Sequence, residues 1–410
     1  MLSGCLSREG FELANSEADA DVVIYNSCAV KGPTENRVVD ALKRIPSTKK
    51  VVIAGCLPLI SFERLLREVR FDAAIGTAVG KGIVDVVKRV SRGEKVVELD
   101  KTLVSMPDLD LPRIQTNPIV SIVPVSYGCL GSCAYCCVVH ARGHLRSYMI
   151  DDVIKRVERD VNAGAREIWI TSQDTACYGK EIGTNLATLI KGVADIKGDF
   201  WVRVGMMTPN MILPFLGELI EAFRSEKVFK FVHLPVQSGD NDVLRRMRRF
   251  YTVQEFKKII TAFRDAFPQL TLSTDVICGF PGESIEAFEN TLQLVSEIQP
   301  DVVNVSKFFA RPKTAAWDMR GIAIEKVEIK RRSAQAAALA RKISLRRNQQ
   351  WLGWDGQILI DEKGKVAGSW VGRNFAYKPI AIKAPENLLG KKVHVKVVKV
   401  FSTHLMGIME

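Results

Sequence analysis

Apolar residues in this chain fall in short runs separated by longer amphipathic stretches. In the N-terminal part, Val22-Val23-Ile24-Tyr25 and Val51-Val52-Ile53-Ala54 predict strands. Helices are predicted near Glu35 to Arg44 and Phe62 to Val69, and the amphipathic stretch from Lys81 to Val90 closes the segment. Strands alternating with helices imply a small parallel α/β domain over residues 1–99. Residues 100–118 carry Pro107, Pro112 and Pro118 with little periodicity and read as a linker.

From residue 119 to 348 the alternation repeats at longer spacing. Strands are expected at Ile122-Val123-Pro124-Val125, Ile168–Thr171, Trp201–Val204, Phe231–Leu234, Leu272–Val276 and Val302–Val305. Repeated β/α units suggest a complete or partial barrel, whose chemistry gathers at the C-terminal strand ends. Polar clusters follow three of these strands: Ser172-Gln173-Asp174, Gln237-Ser238-Gly239 and Gly279-Phe280-Pro281-Gly282. A basic helical stretch with Arg331-Arg332, Arg341-Lys342 and Arg346-Arg347 comes next. Residues 349–410 then change to short alternating runs such as Gln357–Ile360 and Val393–Val398, the pattern of a small all-β module.

Composition adds two constraints. Fifty-eight Lys and Arg against forty-six Asp and Glu give a net charge of +12, which favours a polyanionic partner, nucleic acid first. With no long apolar run and no leader pattern, a cytoplasmic protein without membrane contact is expected, and its nine cysteines read as reduced thiols available to metal. The pattern does not set an oligomeric state.

The densest chemical signal is Cys129-Leu-Gly-Ser-Cys133-Ala-Tyr-Cys136. Three thiolates on one glycine-containing loop can hold three irons of a 4Fe-4S cluster and leave the fourth iron open. An open iron can chelate the amino and carboxylate groups of S-adenosylmethionine (SAM), whose reductive cleavage yields a 5′-deoxyadenosyl radical. The other reading is a structural zinc loop, with Cys137 or His140 as fourth ligand. Cys137, Cys177 and Cys278 otherwise read as small buried residues. His233, in an apolar run, reads as a core histidine, and Gly279–Gly282 as a turn, since it lacks the Lys-Ser or Lys-Thr ending of a phosphate loop.

Several motifs together resemble the methylthiotransferase family of radical SAM enzymes across essentially the whole chain. They are Val125-Ser126-Tyr127-Gly128-Cys129, Ala141-Arg142-Gly143-His144-Leu145-Arg146-Ser147, Thr171–Thr175, His233–Gly239 and Thr274–Glu283. The stretch Asn26-Ser27-Cys28-Ala29-Val30-Lys31-Gly32-Pro33-Thr34-Glu35 is similar to the archaeal and eukaryotic branch that modifies threonylcarbamoyladenosine in tRNA. The resemblance implies an N-terminal domain with an auxiliary 4Fe-4S cluster, a radical SAM core and a C-terminal RNA-binding β-barrel of the TRAM type. It implies that one SAM methylates sulfur at the auxiliary cluster, while a second generates the radical that removes hydrogen from C2 of adenine. A tRNA substrate, an electron donor and a sulfur source are the expected partners. The family's other branches, acting on a ribosomal-protein aspartate or on isopentenyladenosine in tRNA, are the alternatives.

Carried onto this chain, the resemblance makes Cys129, Cys133 and Cys136 ligands of the radical SAM cluster, and Cys28 and Cys56 ligands of the auxiliary one. The family's first auxiliary ligand precedes a helix that Met1–Gly10 resembles, so Cys5 lies too close to Cys28 to be its equivalent. That ligand is expected roughly a dozen residues upstream, encoded before a start codon placed too late. Ser172, Gln173 and Asp174 are candidate SAM contacts, as is Arg203, whose guanidinium could pair with the SAM carboxylate. Gln237 and Ser238 either face cofactor or substrate or shape a turn. In the C-terminal module Lys363, Lys365, Arg373, Lys378, Lys383, Lys391, Lys392, Lys396 and Lys399, with Trp370, Phe375 and Tyr377, are candidates for phosphate neutralisation and base stacking.

Overall fold

The computed structural model describes residues 1–29, 32–100 and 106–409. Val30 and Lys31 of the branch-specific stretch, and 101–105 of the expected linker, lie outside the described residues. The chain forms two compact units. One comprises residues 1–116, 127–146 and 309–320, and the other 117–126, 147–308 and 321–410.

The first unit is built on a parallel sheet of β1 (Val22–Ser27), β2 (Lys50–Gly55), β3 (Ala73–Ile75) and β4 (Val96–Glu98), in that order. β2 is apolar from Val51 to Ala54 because both its faces are covered there. Val51 and Ile53 enter one core with Leu42, Leu57 and Leu65, while Val52 and Ala54 enter the opposite core with Ile83, Val86 and Val90. The second core is capped by α1 (Leu2–Arg8). There Gly4 lies so close to the Pro112 carbonyl that a Cβ would stand 2.3 Å from its oxygen. On the first face lie α2 (Gly32–Arg44) and α3 (Cys56–Ile60), while α4 (Ile83–Ser91) covers the second.

The second unit holds two three-stranded parallel sheets, β5 (Val120–Pro124), β6 (Glu167–Thr171), β7 (Trp201–Val204) and β8 (Phe231–His233), β9 (Thr271–Cys278), β10 (Val302–Lys307). A parallel bridge between Val202 of β7 and Val228 joins the first sheet to the segment that leads into β8. A 24-residue helix, which with α5 (Val138–Arg142) of the first unit in chain order is α6 (Lys326–Gln349), leads from the last of these strands into a closed barrel. The barrel strands are β11 (Asp355–Lys363), β12 (Ser369–Arg373), β13 (Pro379–Lys383), β14 (Lys392–Val400) and β15 (Leu405–Met409), ordered β11-β12-β13-β15-β14. This is the mixed α/β architecture with a small C-terminal β-barrel that the pattern predicts. Among the described residues no helix is long and apolar enough to cross a membrane.

The β-barrel meets the parallel strands at their N-terminal ends. Lys230 donates its backbone N–H to the Phe375 carbonyl (2.7 Å), and the Lys378 ammonium reaches Asp301 (2.7 Å) and Asn348 (2.8 Å). Tyr377, held at φ +60°, packs its ring against Phe229 and Phe231. Beside them Glu167, with no solvent exposure, accepts from the Trp169 indole, and Arg373 pairs with Asp361 at 2.9 Å. Glu167 Oε2 and Asp361 Oδ1 find no hydrogen-bond partner among the described residues.

Burial, with the Asp361 charge adding to it, raises the Glu167 carboxyl from its ordinary 4.5 to about 7. A carboxyl whose pKa is raised on folding favours the folded state while protonated, so that contribution is lost as pH climbs through the folded value. Glu167→Gln keeps an acceptor for Trp169 and removes the ionisation. Thermal denaturation of the variant should therefore match wild type near pH 5 and exceed it by a few degrees near pH 8. A Tm difference that does not change with pH would contradict this account.

Candidate functional site: a cysteine centre in the N-terminal unit

Because the sheet of the first unit is parallel, the loops after its strands share one edge. Cys28 follows β1, Cys56 opens α3 directly after β2, and Thr77 follows β3. Cys28 is exposed and Cys56 half-buried. Burial raises the Cys56 thiol, the Arg142 guanidinium opposes this by charge and a hydrogen bond, and nearby Cys28 adds to the rise. Arg142 ends α5, which packs on α3, and with Arg146 it lies over the Tyr127 ring (5.3 and 5.2 Å). The Tyr127 and Thr77 hydroxyls are hydrogen-bonded to each other. Arg142 stands in the Ala141-Arg142-Gly143 motif, but nothing in its spacing shows that it meets a cysteine more than eighty residues earlier.

The loop Cys129–Cys136 belongs to the same unit. Gly128 starts it at φ +80°, where a Cβ would stand 2.1 Å from the His144 oxygen, so only glycine fits. Over Gly131 the loop closes on itself: a Cβ there would be 3.3 Å from Cys129 Sγ and 3.6 Å from Cys133 Sγ, and the Gly131 N–H donates to Cys129 Sγ at 3.1 Å. Burial, with the other loop cysteines contributing, pushes the Cys136 thiol up to about 12. Such a thiol keeps its proton at neutral pH unless a metal cation replaces it. Three sulfurs around one concave turn, one receiving a backbone N–H, fit a cluster held from three corners. Cys137 points elsewhere: its thiol donates to the Ala29 carbonyl (3.5 Å) within the core of Val39, Leu57 and Ala141. That removes it as the fourth ligand of a zinc loop.

Cys5 is buried in the core on the other face of the sheet from Cys56, with Val52, Ala54 and Ile75. Cys177 and Cys278 are fully buried.

In the second unit, the Asp174 carboxylate is engaged by the loop itself. It accepts from the backbone of Ala176 (3.2 Å) and Thr208 (3.0 Å) and from the Cys177 thiol (3.2 Å), while Ser172 Oγ accepts from the Asp174 N–H (3.0 Å). Gln173 lies between them, half-buried. Arg203 faces three rings, Trp169, Phe231 and Tyr377, at 5.1–5.2 Å, and lines a cavity of about 270 Å³ with His233, Arg373 and Tyr377. His233 is held by Asp275 (2.9 Å), which also accepts from Asn304 (2.8 Å). Ser238 contacts Thr291 (3.3 Å) in a buried turn, whereas Gln237 has φ +69° and a buried side-chain oxygen with no partner among the described residues. Gly279–Gly282 is a turn, its first N–H donated to Glu283 (2.8 Å). In the β-barrel, Arg373, Lys378 and Tyr377 serve internal packing, and Lys392 pairs with Asp199. Lys363, Lys365, Lys383, Lys391, Lys396 and Lys399 remain exposed.

Residues 123–295 match the radical SAM superfamily, and residues 1–76 match the family described as uncharacterized protein family UPF0004. A "probable threonylcarbamoyladenosine tRNA methylthiotransferase" of Pyrococcus horikoshii is 40% identical over 409 residues, covering 99% of this chain and 95% of that protein. The human threonylcarbamoyladenosine tRNA methylthiotransferase is 33% identical over 404 residues, 97% of this chain and 69% of that protein. The chain belongs to the threonylcarbamoyladenosine tRNA methylthiotransferase family.

Among solved structures, the radical SAM methyltransferase TsrM of Kitasatospora setae shares the fold of this methylthiotransferase family member, with TM-score 0.55 and 13% identity over 94% of this chain and 76% of that one. Radical SAM membership entails a 4Fe-4S cluster and SAM. Gly128→Ala should misplace the methylthiotransferase's cysteine loop. Anaerobically purified variant should carry about four fewer irons per chain than wild type, with unchanged far-ultraviolet circular dichroism. A full iron complement would show that the turn does not govern cluster assembly.

Proposed function

We propose that this chain converts N6-threonylcarbamoyladenosine at position 37 of tRNA to its 2-methylthio form, with SAM as co-substrate. The observation that carries the reading is that the loop Cys129–Cys136 and the pair Cys28 and Cys56 fold within one compact unit. Two sulfur-rich centres on one unit are what a reaction combining C–H activation with sulfur transfer requires. The names of relatives at 33–40% identity over nearly the whole chain support the substrate.

Cys129, Cys133 and Cys136 hold the SAM-binding 4Fe-4S cluster, and Cys28 and Cys56 supply ligands to an auxiliary 4Fe-4S cluster. With SAM, the first cluster supplies the one-electron chemistry that activates a C–H bond. The protein's own part is placement. Gly128 and Gly131 shape the loop, Asp174 fixes the turn that brings Ser172 and Gln173 to SAM, and Arg142 sets a positive charge beside Cys56. The ring cage around Arg203 suits it to hold the floor of the strands rather than to clasp a carboxylate. Cys5, across the sheet, is no ligand. The reaction needs an electron donor and a sulfur source, and takes place in the cytoplasm with tRNA.

Two variants separate the halves of this chemistry. Reconstituted enzyme is incubated with SAM, reductant, sulfide and tRNA bearing threonylcarbamoyladenosine, and nucleosides are analysed by mass spectrometry. Cys129→Ala should abolish both 5′-deoxyadenosine and product. Cys56→Ala should keep 5′-deoxyadenosine and lower the methylthio product by at least about a hundredfold, as expected for loss of an essential metal ligand. Product formation by Cys56→Ala at the wild-type rate would refute the auxiliary site.

A further inference from the structure

The basic stretch after the last parallel strand is helix α6, and the structure sorts its charges into two faces. Arg332 is buried against Glu283 (2.8 Å) and Glu328 (2.7 Å), Arg331 is forked onto Glu328, and Arg347 reaches Asp301 (3.3 Å). Lys330, Arg341, Lys342 and Arg346 are exposed, and none has an ion-pair partner among the described residues. No Asp or Glu occurs between Glu328 and Asp355. At 3.6 residues per turn the four cations fall within about 160° of the helix circumference and span about 24 Å along it. Exposed Ala334 and Ala338 lie between them, so a bulky backbone can approach closely.

Where α6 begins and ends gives this face its meaning. Near its start, Ile329 packs so tightly on Gly279 that a Cβ there would be 2.4 Å away, and Arg332 grips Glu283. That turn lies just past the C-terminal end of β9, the side on which barrels do chemistry. Near its end, Arg347 meets Asp301 ahead of β10, Asn348 donates to the Phe401 carbonyl (2.7 Å), and the following Trp351 enters the β-barrel core. The helix therefore runs from the reaction end of the strands to the β-barrel, which itself carries exposed Lys396 and Lys399.

We propose that the outward face of α6, through Lys330, Arg341, Lys342 and Arg346, docks the sugar-phosphate backbone of the tRNA stem. This rests on the tRNA reading above. An RNA placing one nucleotide at the reaction end while its stem touches the β-barrel lies along this helix. Arginine and lysine here neutralise phosphates without reading sequence, so the contribution to affinity is strongly salt-dependent.

The test is fluorescence anisotropy of labelled tRNA transcript with holoenzyme over a series of KCl concentrations. Arg341→Gln, Lys342→Gln and Arg346→Gln are combined in one variant. A control combines Lys155→Gln, Lys191→Gln and Lys197→Gln, which removes the same charge from exposed lysines elsewhere on the same unit. Near 0.1 M salt the α6 variant should bind on the order of tenfold to several-hundredfold more weakly, with a salt slope shallower by about 2–3. The control should bind as wild type does, and both variants should retain uncoupled SAM cleavage. An α6 variant with wild-type affinity and slope, or a control weakened equally, would overturn the proposal. Failure of wild-type holoenzyme to bind tRNA at all would instead overturn the substrate reading.

Discussion

Glu35 is almost completely removed from water, and its charge is tolerable only because two guanidiniums close on it. Arg64 approaches at 2.9 Å from the helix after α3, and Arg311 comes from the segment after β10 that folds into the N-terminal unit. Removing one partner from such a buried group costs about 3–5 kcal/mol, so the three side chains stand or fall together. Arg311 also sets its positive charge beside the Cys137 thiol, opposing the rise that burial gives it. Through this arginine, the start of α2 next to the Cys28 loop and the cysteine loop ending at Cys136 are fixed to one framework. The sulfur chemistry proposed for the chain depends on that framework more than on any single ligand.

Around it the molecule divides its tasks by local environment. The parallel-sheet edge exposes Cys28 and half-buries Cys56 beside a cation. The loop from Cys129 leaves Cys136 half-buried, with enough desolvation to raise its thiol. In the second unit, aromatic and ionic contacts fasten the β-barrel to the strand bases, so a basic surface there is held at a fixed position relative to the strands it serves.

Much of the fold was legible in the sequence because its strands are continuous apolar runs. The apolar runs predict Trp201–Val204 to the residue, and β1, β2, β9 and β10 to within a few. They do not predict Ala73–Ile75 and Val96–Glu98, since three residues show no periodicity. The metal-ligand spacing was equally legible, being local. What sequence could not show was long-range. Cys129–Cys136 sits inside the segment read as the barrel yet folds with the N-terminal unit, and the meeting of Arg142 with Cys56 leaves no trace in spacing. Basic and aromatic residues of the β-barrel read as one RNA-binding set, but Arg373, Lys378 and Tyr377 are turned inward to partners from the parallel strands or their own barrel. Polar residues look alike in sequence whether they face water or a buried counter-charge.

On the proposed function, one folded unit carries two different iron–sulfur centres, only one of which binds SAM. Mössbauer spectroscopy of protein reconstituted with ⁵⁷Fe, before and after adding SAM, tests it most directly. Two 4Fe-4S components of equal area are expected, with one iron site of a single component shifting when SAM is added. A single component accounting for all the iron, or a SAM-induced shift in both, would contradict it.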